Sequence, residues 1–301
     1  MPKFTLATLN TPNGQKAAIG VDKQYYLLAE VQPLLHDVTV LQLLQQWDTS
    51  FPMLQEFADS ITGGMITHAR EINEHDADLL APVLYPNKLM AVGANYSGHL
   101  QEMGLEAKKW DSMPFFLRPP TTTLVGPGQT VSIPKSTQQF DWECELTVVV
   151  GRRLRHATRE EAGQAIAGYT IGLDLSCRDL IPSHNDLQID LVRGKAQDTM
   201  APCGPYVVPA QFIEDVNNLR IQLYVNDQKM MDASTDQMLY EVDEMLSVIS
   251  EYITIEPGDM LMTGSPSGSA GVHGNRWLKP GDRIHAEIEG IGELNVRMRN
   301  D

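Results

Sequence analysis

Acidic side chains recur at every second position in one segment of the chain, at Asp141, Glu143 and Glu145. Because side chains alternate between the two faces of an extended strand, these carboxylates are predicted to share one face. A second alternating segment places Asp174 and Ser176 opposite its apolar face. If the two polar faces meet, the carboxylates repel each other unless a cation holds them, and hard oxygen ligands favour Mg²⁺ or Mn²⁺. The sequence therefore predicts a strand-borne metal site.

A histidine and a glutamate, His99 and Glu102, lie three residues apart in a segment that could form a helical turn. That spacing places both side chains on one helix face. A carboxylate bound to an imidazole fixes its tautomer and raises its basicity, as a water-activating base requires. A surface ion pair without function is the alternative interpretation. Gly98 and Gly104 bracket the turn, and the segment is interpreted either as a mobile lid or as a plain loop.

A glycine-rich turn occupies residues 263–268. It does not form the Gly-x-Ser-x-Gly elbow of a serine nucleophile, because Pro266 stands at the central position. Its amides and the Thr263 hydroxyl are predicted to face a carboxylate, although a turn that simply reverses the chain is equally consistent with this segment.

The composition excludes several classes of protein. The 301 residues include 23 basic and 39 acidic side chains, a net charge of −16. Partners that need clustered Lys and Arg, such as nucleic acid and anionic membranes, are therefore not expected. The three cysteines (Cys144, Cys177 and Cys203) lack any Cys-x-x-Cys spacing, which is typical of a reducing compartment. With neither a signal core nor an apolar run of membrane length, the chain is predicted to be soluble and cytoplasmic.

Two units are predicted, a small N-terminal domain at residues 1–82 and a catalytic domain at residues 83–301, with Pro82 and Pro86 marking the linker. In the first unit, Asn13-Gly14 predicts a hairpin turn, and a second helix is expected after Pro52.

In the second unit, Thr158 and Glu161 fit a capping box for a helix, and an amphipathic helix is expected at residues 238–249.

Short motifs in the second unit follow one another in an order and spacing that together are specific. They resemble the fumarylacetoacetate hydrolase family from about Leu89 to the C-terminus. In chain order the motifs are Asn95-Tyr96-x-x-His99-x-x-Glu102, Asp141-x-Glu143-x-Glu145-Leu146, Gly168-Tyr169-Thr170, Asp174-x-Ser176-x-Arg178-Asp179, Gly194-Lys195, Gly204-Pro205-Tyr206, Pro257-Gly258-Asp259, Thr263-Gly264-x-Pro266-x-Gly268 and Pro280-Gly281-Asp282. The first eighty residues resemble the variable N-terminal extension of longer members.

The resemblance implies an α+β fold that is mostly β: a rolled mixed β-sheet catalytic domain with a small α/β N-terminal domain, expected as a homodimer. It implies that one set of residues holds Mg²⁺ or Mn²⁺ and that a third set binds substrate. In the second, catalytic set, His99 with Glu102 activates water, and Lys195 stabilises charge on the substrate's oxygens. The metal set is Glu143, Glu145 and Asp174; the catalytic set is His99, Glu102 and Lys195; the substrate set is Tyr96, Arg178, Thr263 and Gly264.

The implied activity is metal-dependent hydrolysis of the C–C bond of an acylpyruvate, a 2,4-dioxo acid such as fumarylpyruvate, maleylpyruvate or a fumarylacetoacetate-like compound. His99 would take a proton from the water that attacks the C4 carbonyl, giving pyruvate and a carboxylic acid, as in aromatic-compound catabolism. Alternatives on the same site are decarboxylation of oxaloacetate, isomerisation of a 2-hydroxymuconate-type dienoate and hydration of a 2-keto-3-deoxy acid. A non-catalytic metal-binding protein is an alternative of a different class.

One position departs from the family pattern. Hydrolytic members often carry a glutamine three residues after the arginine, and here that position is Ile181. Isoleucine cannot donate a hydrogen bond, so either the following loop supplies a substitute, with His184, Asn185 and Gln188 as candidates, or the reaction is different.

Overall fold

The computed structural model describes residues 4–183 and 185–301. In the described residues the strands are β1 (Thr5–Thr11), β2 (Gly14–Val21), β3 (Gln24–Leu27), β4 (Ile72–Asn73), β5 (Leu89–Val92), β6 (Phe115–Arg118), β7 (Leu124–Val125), β8 (Thr130–Ile133), β9 (Phe140–Asp141), β10 (Cys144–Val150), β11 (Ile166–Leu173), β12 (Ser176–Cys177), β13 (Ala201–Pro209), β14 (Arg220–Val225), β15 (Gln228–Ser234), β16 (Met260–Met262), β17 (Arg283–Ile288) and β18 (Gly292–Asn300).

The α-helices among the described residues are fewer than the strands. They are α1 (Leu28–Val31), α2 (Val40–Leu44), α3 (Trp47–Thr62), α4 (Ser97–Glu102), α5 (Pro120–Thr123), α6 (Arg159–Gln164), α7 (Leu191–Lys195) and α8 (Val242–Tyr252). Across the described part of the chain, no helix has both the length and the hydropathy that crossing a bilayer requires.

The strands form one long sheet, one five-stranded sheet and one two-stranded pair. The long sheet runs in the order β4-β3-β2-β1-β13-β11-β10-β16-β5-β6, with β7 paired to β13. The second sheet runs β15-β14-β17-β18-β8, and β9 pairs with β12. Most pairs are antiparallel, but β5 with β16, β7 with β13 and β8 with β18 are parallel. The expected α+β, mostly β fold with mixed sheets is confirmed.

The N-terminal segment joins the long sheet directly. The predicted hairpin is present, because β1 and β2 pair along their whole length around a tight turn. Strand β1 also pairs with β13, with Leu6 opposite Val207, so the sheet is continuous across both predicted units. The domain boundary after residue 82 stays a prediction. The expectation of a separate helix after Pro52 is wrong, since this proline lies inside α3.

Strand β10 is buried along its whole length and separates two hydrophobic cores. Its residues Cys144, Leu146 and Val148 face the larger core, together with Tyr169 and Ile171 from β11. The intervening position Val149 faces the smaller core, with Met262 of β16. Side chains of β10 therefore alternate between the two cores as the sequence predicts, and Glu145 lies on the face opposite the larger core.

The pairing of β10 with β11 is interrupted at the end where the carboxylates lie. Beyond Cys144, which is opposite Leu173, the chains continue to the short pair of β9 with β12. The amide of Asp174 donates to the carbonyl of Glu143 at 3.0 Å, which holds the two chains together across the gap. The buried Trp142 indole donates to the carbonyl of Gly268 at 2.9 Å and fixes the glycine-rich turn beside this gap.

We expect Gly168→Ala to destabilise the protein strongly. A Cβ atom at this position of β11 would lie 2.3 Å from the carbonyl oxygen of Val208 on β13, and backbone cannot move aside cheaply. Overpacking of this kind costs about 1–3 kcal/mol or more. The control is Gly163→Ala in α6, where the new Cβ would lie 3.6 Å from Asp243 and helix propensity improves. Urea unfolding midpoints measure both; equal midpoints would contradict the strand contact.

Candidate metal centre and active site

Three carboxylates converge at the interrupted end of β10 and β11. Glu143 lies in the gap between β9 and β10, Glu145 is the second residue of β10, and Asp174 follows β11. Each offers an oxygen within 4.8 Å of the others, and all three side chains are buried. The two polar faces predicted from the strand alternation do meet.

Three basic side chains surround these carboxylates. The Lys195 ammonium, at the end of α7, lies between two of them, 2.5 Å from Glu143 Oε2 and 2.6 Å from Asp174 Oδ2. The Arg178 guanidinium donates to Glu143 Oε1 at 2.5 Å, and Arg118 donates to Asp174. Buried charges are tolerated when they are paired in this way.

The carboxylates experience different electrostatic environments. Burial alone would raise the pKa of Glu143, but Arg178 and Lys195 outweigh it and hold that pKa well below its ordinary value. Burial and the neighbouring Glu143 raise the pKa of Glu145 to about 8, although Lys195 opposes the shift. For Lys195, burial lowers the pKa more than Glu143 raises it. The metal-free centre therefore retains a proton on Glu145 near neutral pH.

The donor set fits a hard divalent cation. Glu143, Glu145 and Asp174 offer only oxygen ligands, which is the set that Mg²⁺ and Mn²⁺ prefer. The ammonium of Lys195 supplies part of the positive charge that such a cation would supply among these oxygens.

The His99–Glu102 pair predicted from the sequence is formed on α4. His99 Nδ1 lies 3.1 Å from Glu102 Oε2, and its Nε2 lies 3.4 Å from Glu143 Oε1. Glu102 also accepts from the amide of Gly268 at 2.5 Å and from the hydroxyl of Ser269 at 3.3 Å. Burial alone would lower the pKa of His99, but the hydrogen bonds to Glu102 and Glu143 raise it to about 9.

The predicted substrate-binding residues lie beside the carboxylates, but two of them use their donors within the protein. The Thr263 hydroxyl donates to the carbonyl of Leu146 at 2.9 Å, and the Gly264 amide donates to Glu145 Oε2 at 2.7 Å. The turn therefore positions Glu145.

The other two residues of the predicted substrate set are Tyr96 and Arg178, and Arg178 also donates to Glu143 and Asp141. Tyr96 is fully buried, and its hydroxyl has no hydrogen-bond partner in the described residues. Burial and the nearby Glu145 raise the pKa of Tyr96. Arg178 is about a fifth exposed, so its guanidinium reaches solvent from the centre.

The sequence pattern grouped Asp141 with the metal carboxylates, but its contacts are different. Asp141 Oδ2 accepts from Arg178 Nε at 2.8 Å, and Oδ1 accepts from the amides of Trp142 and Ala270 at 2.8 and 2.9 Å. Asp141 therefore orients Arg178 and anchors the segment that follows the glycine-rich turn.

Sequence reasoning missed Arg118. This residue is fully buried at the end of β6, donates to Asp174, and donates to the carbonyl of Met200 at 2.8 Å. A signal was available: Arg118 directly follows Phe115, Phe116 and Leu117, and an arginine in an apolar strand needs a buried partner.

Ile181 packs where a hydrogen-bonding side chain was expected. A Cβ on Gly194, next to Lys195, would lie 2.3 Å from Ile181 Cγ1, so the two residues are in direct contact. Of the proposed substitutes, Asn185 and Gln188 are exposed on the following loop. His184 lies outside the described residues.

We expect the affinity for Mn²⁺ to increase as pH rises towards about 8. A metal ion must displace the proton from Glu145, whose pKa in the metal-free protein is about 8, so each pH unit below this value weakens binding up to about tenfold. Calorimetric titration of the metal-free protein at several pH values measures this dependence. Glu145→Gln should bind more weakly and with a flatter pH dependence, and an affinity independent of pH in the unmodified protein would contradict the assignment.

Comparisons with known proteins show the family to which the chain belongs. The family model described as Fumarylacetoacetate (FAA) hydrolase C-terminal matches residues 88–299. The chain is 32% identical over 258 residues to oxaloacetate tautomerase FAHD2A, mitochondrial, of Bos taurus, covering 85% of this chain and 78% of that protein.

Solved structures give the same result. A fumarylacetoacetate hydrolase from Exiguobacterium antarcticum superposes with a TM-score of 0.80 at 26% identity, covering 99% of this chain and 100% of that one. Fumarylpyruvate hydrolase from Pseudomonas aeruginosa, in complex with Mn²⁺ and pyruvate, matches with a TM-score of 0.65 at 29% identity, covering 73% and 91%. The chain belongs to the fumarylacetoacetate hydrolase family.

Proposed function

We propose that this protein is a divalent-metal-dependent tautomerase that interconverts the enol and keto forms of a 2-oxo dicarboxylic acid such as oxaloacetate. Three features support the proposal: the buried carboxylate cluster, the basic side chains around it, and the likeness to a relative named an oxaloacetate tautomerase over most of both chains.

The observation that carries the choice of reaction is the contact of Ile181 with Gly194. Hydrolysis of an acylpyruvate requires a water molecule oriented towards C4. The Ile181 side chain, which packs against α7 beside Lys195, cannot donate or accept a hydrogen bond to orient that water. Enol–keto conversion requires no attacking water, because it only moves a proton between oxygen and carbon. An apolar side chain at this position is compatible with that reaction.

The protein's own residues suit the charges of such a substrate. Arg178 and Lys195 offer a guanidinium and an ammonium to the carboxylate and to the 2-oxygen. A divalent cation bound by the three carboxylates would add Lewis-acid stabilisation of the enolate charge. Preorganised positive groups of this kind stabilise charge that develops during the reaction.

His99 is the residue best placed to exchange a proton with C3. In ketonisation the enol oxygen releases its proton to solvent water while C3 gains one, and Lys195 stabilises the negative charge on the oxygen. His99, held by Glu102 on one ring nitrogen and facing Glu143 with the other, supplies the proton to carbon. His99 then regains a proton from solvent water. In the reverse direction His99 removes the proton from C3.

We expect the protein to accelerate ketonisation of enol-oxaloacetate in the presence of Mn²⁺ or Mg²⁺, and to lose this activity with EDTA. The assay is paired with pyruvate release from fumarylpyruvate under the same conditions. Glu143→Gln should lower ketonisation at least about 100-fold, since it removes a ligand and an orienting partner of His99. Rapid chelator-sensitive pyruvate release without ketonisation would refute the tautomerase and favour the hydrolase.

We expect Ile181→Gln to raise the ratio of acylpyruvate hydrolysis to ketonisation, because the amide adds a donor and an acceptor beside Lys195. Ile181→Val is the matched control, since it shortens the side chain without adding a polar group. Both rates are measured on each variant at saturating metal. If glutamine and valine change the ratio equally, Ile181 does not decide between the two reactions.

Acylpyruvate hydrolysis remains the second candidate, favoured by the 3.1 Å contact of His99 with Glu102. A histidine aligned by a carboxylate is the arrangement that a water-activating base requires. The fumarylpyruvate hydrolase with bound Mn²⁺ and pyruvate has a related fold. The expected homodimer and cytoplasmic location stay predictions.

A further inference from the structure

The segment that carries His99 and Glu102 is fixed at its start by Tyr240. We call residues 97–113 the lid; it consists of α4 and the loop that leads to β6. Immediately before it, the buried Asn95 donates to the carbonyls of Tyr240 at 3.1 Å and Thr263 at 2.9 Å. Asn95 Oδ1 also accepts from the amide of Tyr240 at 2.8 Å. The lid therefore begins at a rigid point beside Tyr240.

The far end of the lid returns to the same residue. The Lys109 ammonium lies 4.5 Å from the centre of the Tyr240 ring and donates to Glu244 Oε1 in the first turn of α8. The Tyr240 hydroxyl donates to the carbonyl of Trp110. Two polar contacts and one cation–π contact thus attach the lid loop to the segment around Tyr240, which also fixes the beginning of the lid.

These contacts are accessible to water, unlike those of the metal centre. The Lys109 and Glu244 side chains are 44% and 24% exposed. Exposed ion pairs and cation–π contacts are individually weak and are formed and broken easily. Between the two ends, Met103 and Leu105 are also exposed, so the lid loop gains little from apolar burial at these positions. The contacts at Tyr240 therefore hold the part of the loop between α4 and Met113, which is buried in the larger core.

We propose that Lys109, Tyr240 and Glu244 form a clasp that holds the lid closed and so positions the His99–Glu102 pair. When the clasp is closed, Glu102 stays on the Gly268 amide and His99 stays against Glu143. These are positioning residues, because they act through the lid. The effect on turnover rests on the proposed function, whereas lid closure can be measured without it.

The chain offers a matched control in the neighbouring lysine. Lys108 lies 2.7 Å from Glu106 within the same loop, so Lys108→Ala removes the same charge without touching Tyr240 or Glu244. Hydrogen exchange is read at the lid amides of Met103 and Leu105, which donate within the lid to His99 and Leu100.

We expect Lys109→Ala to speed this exchange about three- to tenfold, which is the combined effect of one exposed ion pair and one cation–π contact. Lys108→Ala should leave it unchanged. Lys109→Arg keeps the positive charge and should restore slow exchange, and Tyr240→Phe, which keeps the ring but loses the hydroxyl, should have an intermediate effect. High salt should speed exchange in the unmodified protein but not in Lys109→Ala, because salt screens exposed ion pairs.

Equal exchange in the two alanine variants, or no rescue by arginine, would overturn the clasp. In an active protein Lys109→Ala should also lower kcat/KM by a similar factor while leaving Mn²⁺ affinity unchanged. If the protein lacks the proposed activity, the exchange measurement still decides the clasp, so the two proposals fail separately.

Discussion

The repulsion among three buried carboxylates is the constraint on which the rest of the centre depends. Glu143, Glu145 and Asp174 approach within 4.8 Å in an environment that screens charge poorly. The fold tolerates this because Lys195, Arg178 and Arg118 arrive from three separate segments of the chain. These segments are α7, the turn after β12, and β6 at one end of the long sheet. The acidic cluster thus joins elements from three separate parts of the chain.

Electrostatic contacts also link the three carboxylates to the lid. His99 on α4 faces Glu143 with one ring nitrogen and Glu102 with the other. Glu102 accepts from the amide of Gly268, and the carbonyl of the same glycine accepts from the Trp142 indole. Any change in the charge on Glu143 therefore alters the electrostatic environment of His99. The charges of the carboxylates, of His99 and of Glu102 on the lid thus influence one another.

The sequence predicted the parts of this arrangement that depend on local pattern. Period-two alternation placed Glu143 and Glu145 apart from the apolar face, and the three-residue spacing of His99 and Glu102 placed them on one helix face. The contacts of Asp141 and Arg118 were not predictable in this way, because they depend on which distant strand lies alongside.

Burial also overrode some local rules. A second helix was expected after Pro52, yet this proline lies within α3, where Trp47 and Leu54 pack into the smaller core. The donors of Thr263 and Gly264 were expected to face a ligand, yet they bind the carbonyl of Leu146 and the carboxylate of Glu145. A pattern of residue types shows which groups can donate a hydrogen bond, but the packing of the sheet decides which groups accept it.

The charge count of the centre bears on the kind of substrate. The basic groups Lys195, Arg178 and Arg118, with His99 as an imidazolium, nearly balance the surrounding carboxylates before any metal ion is added. A divalent cation then leaves the centre with excess positive charge in a protein whose net charge is −16. Buried excess charge is costly, so the centre suits an anionic substrate whose carboxylate neutralises it. The same charge balance applies whether the bound molecule exchanges a proton or is cleaved.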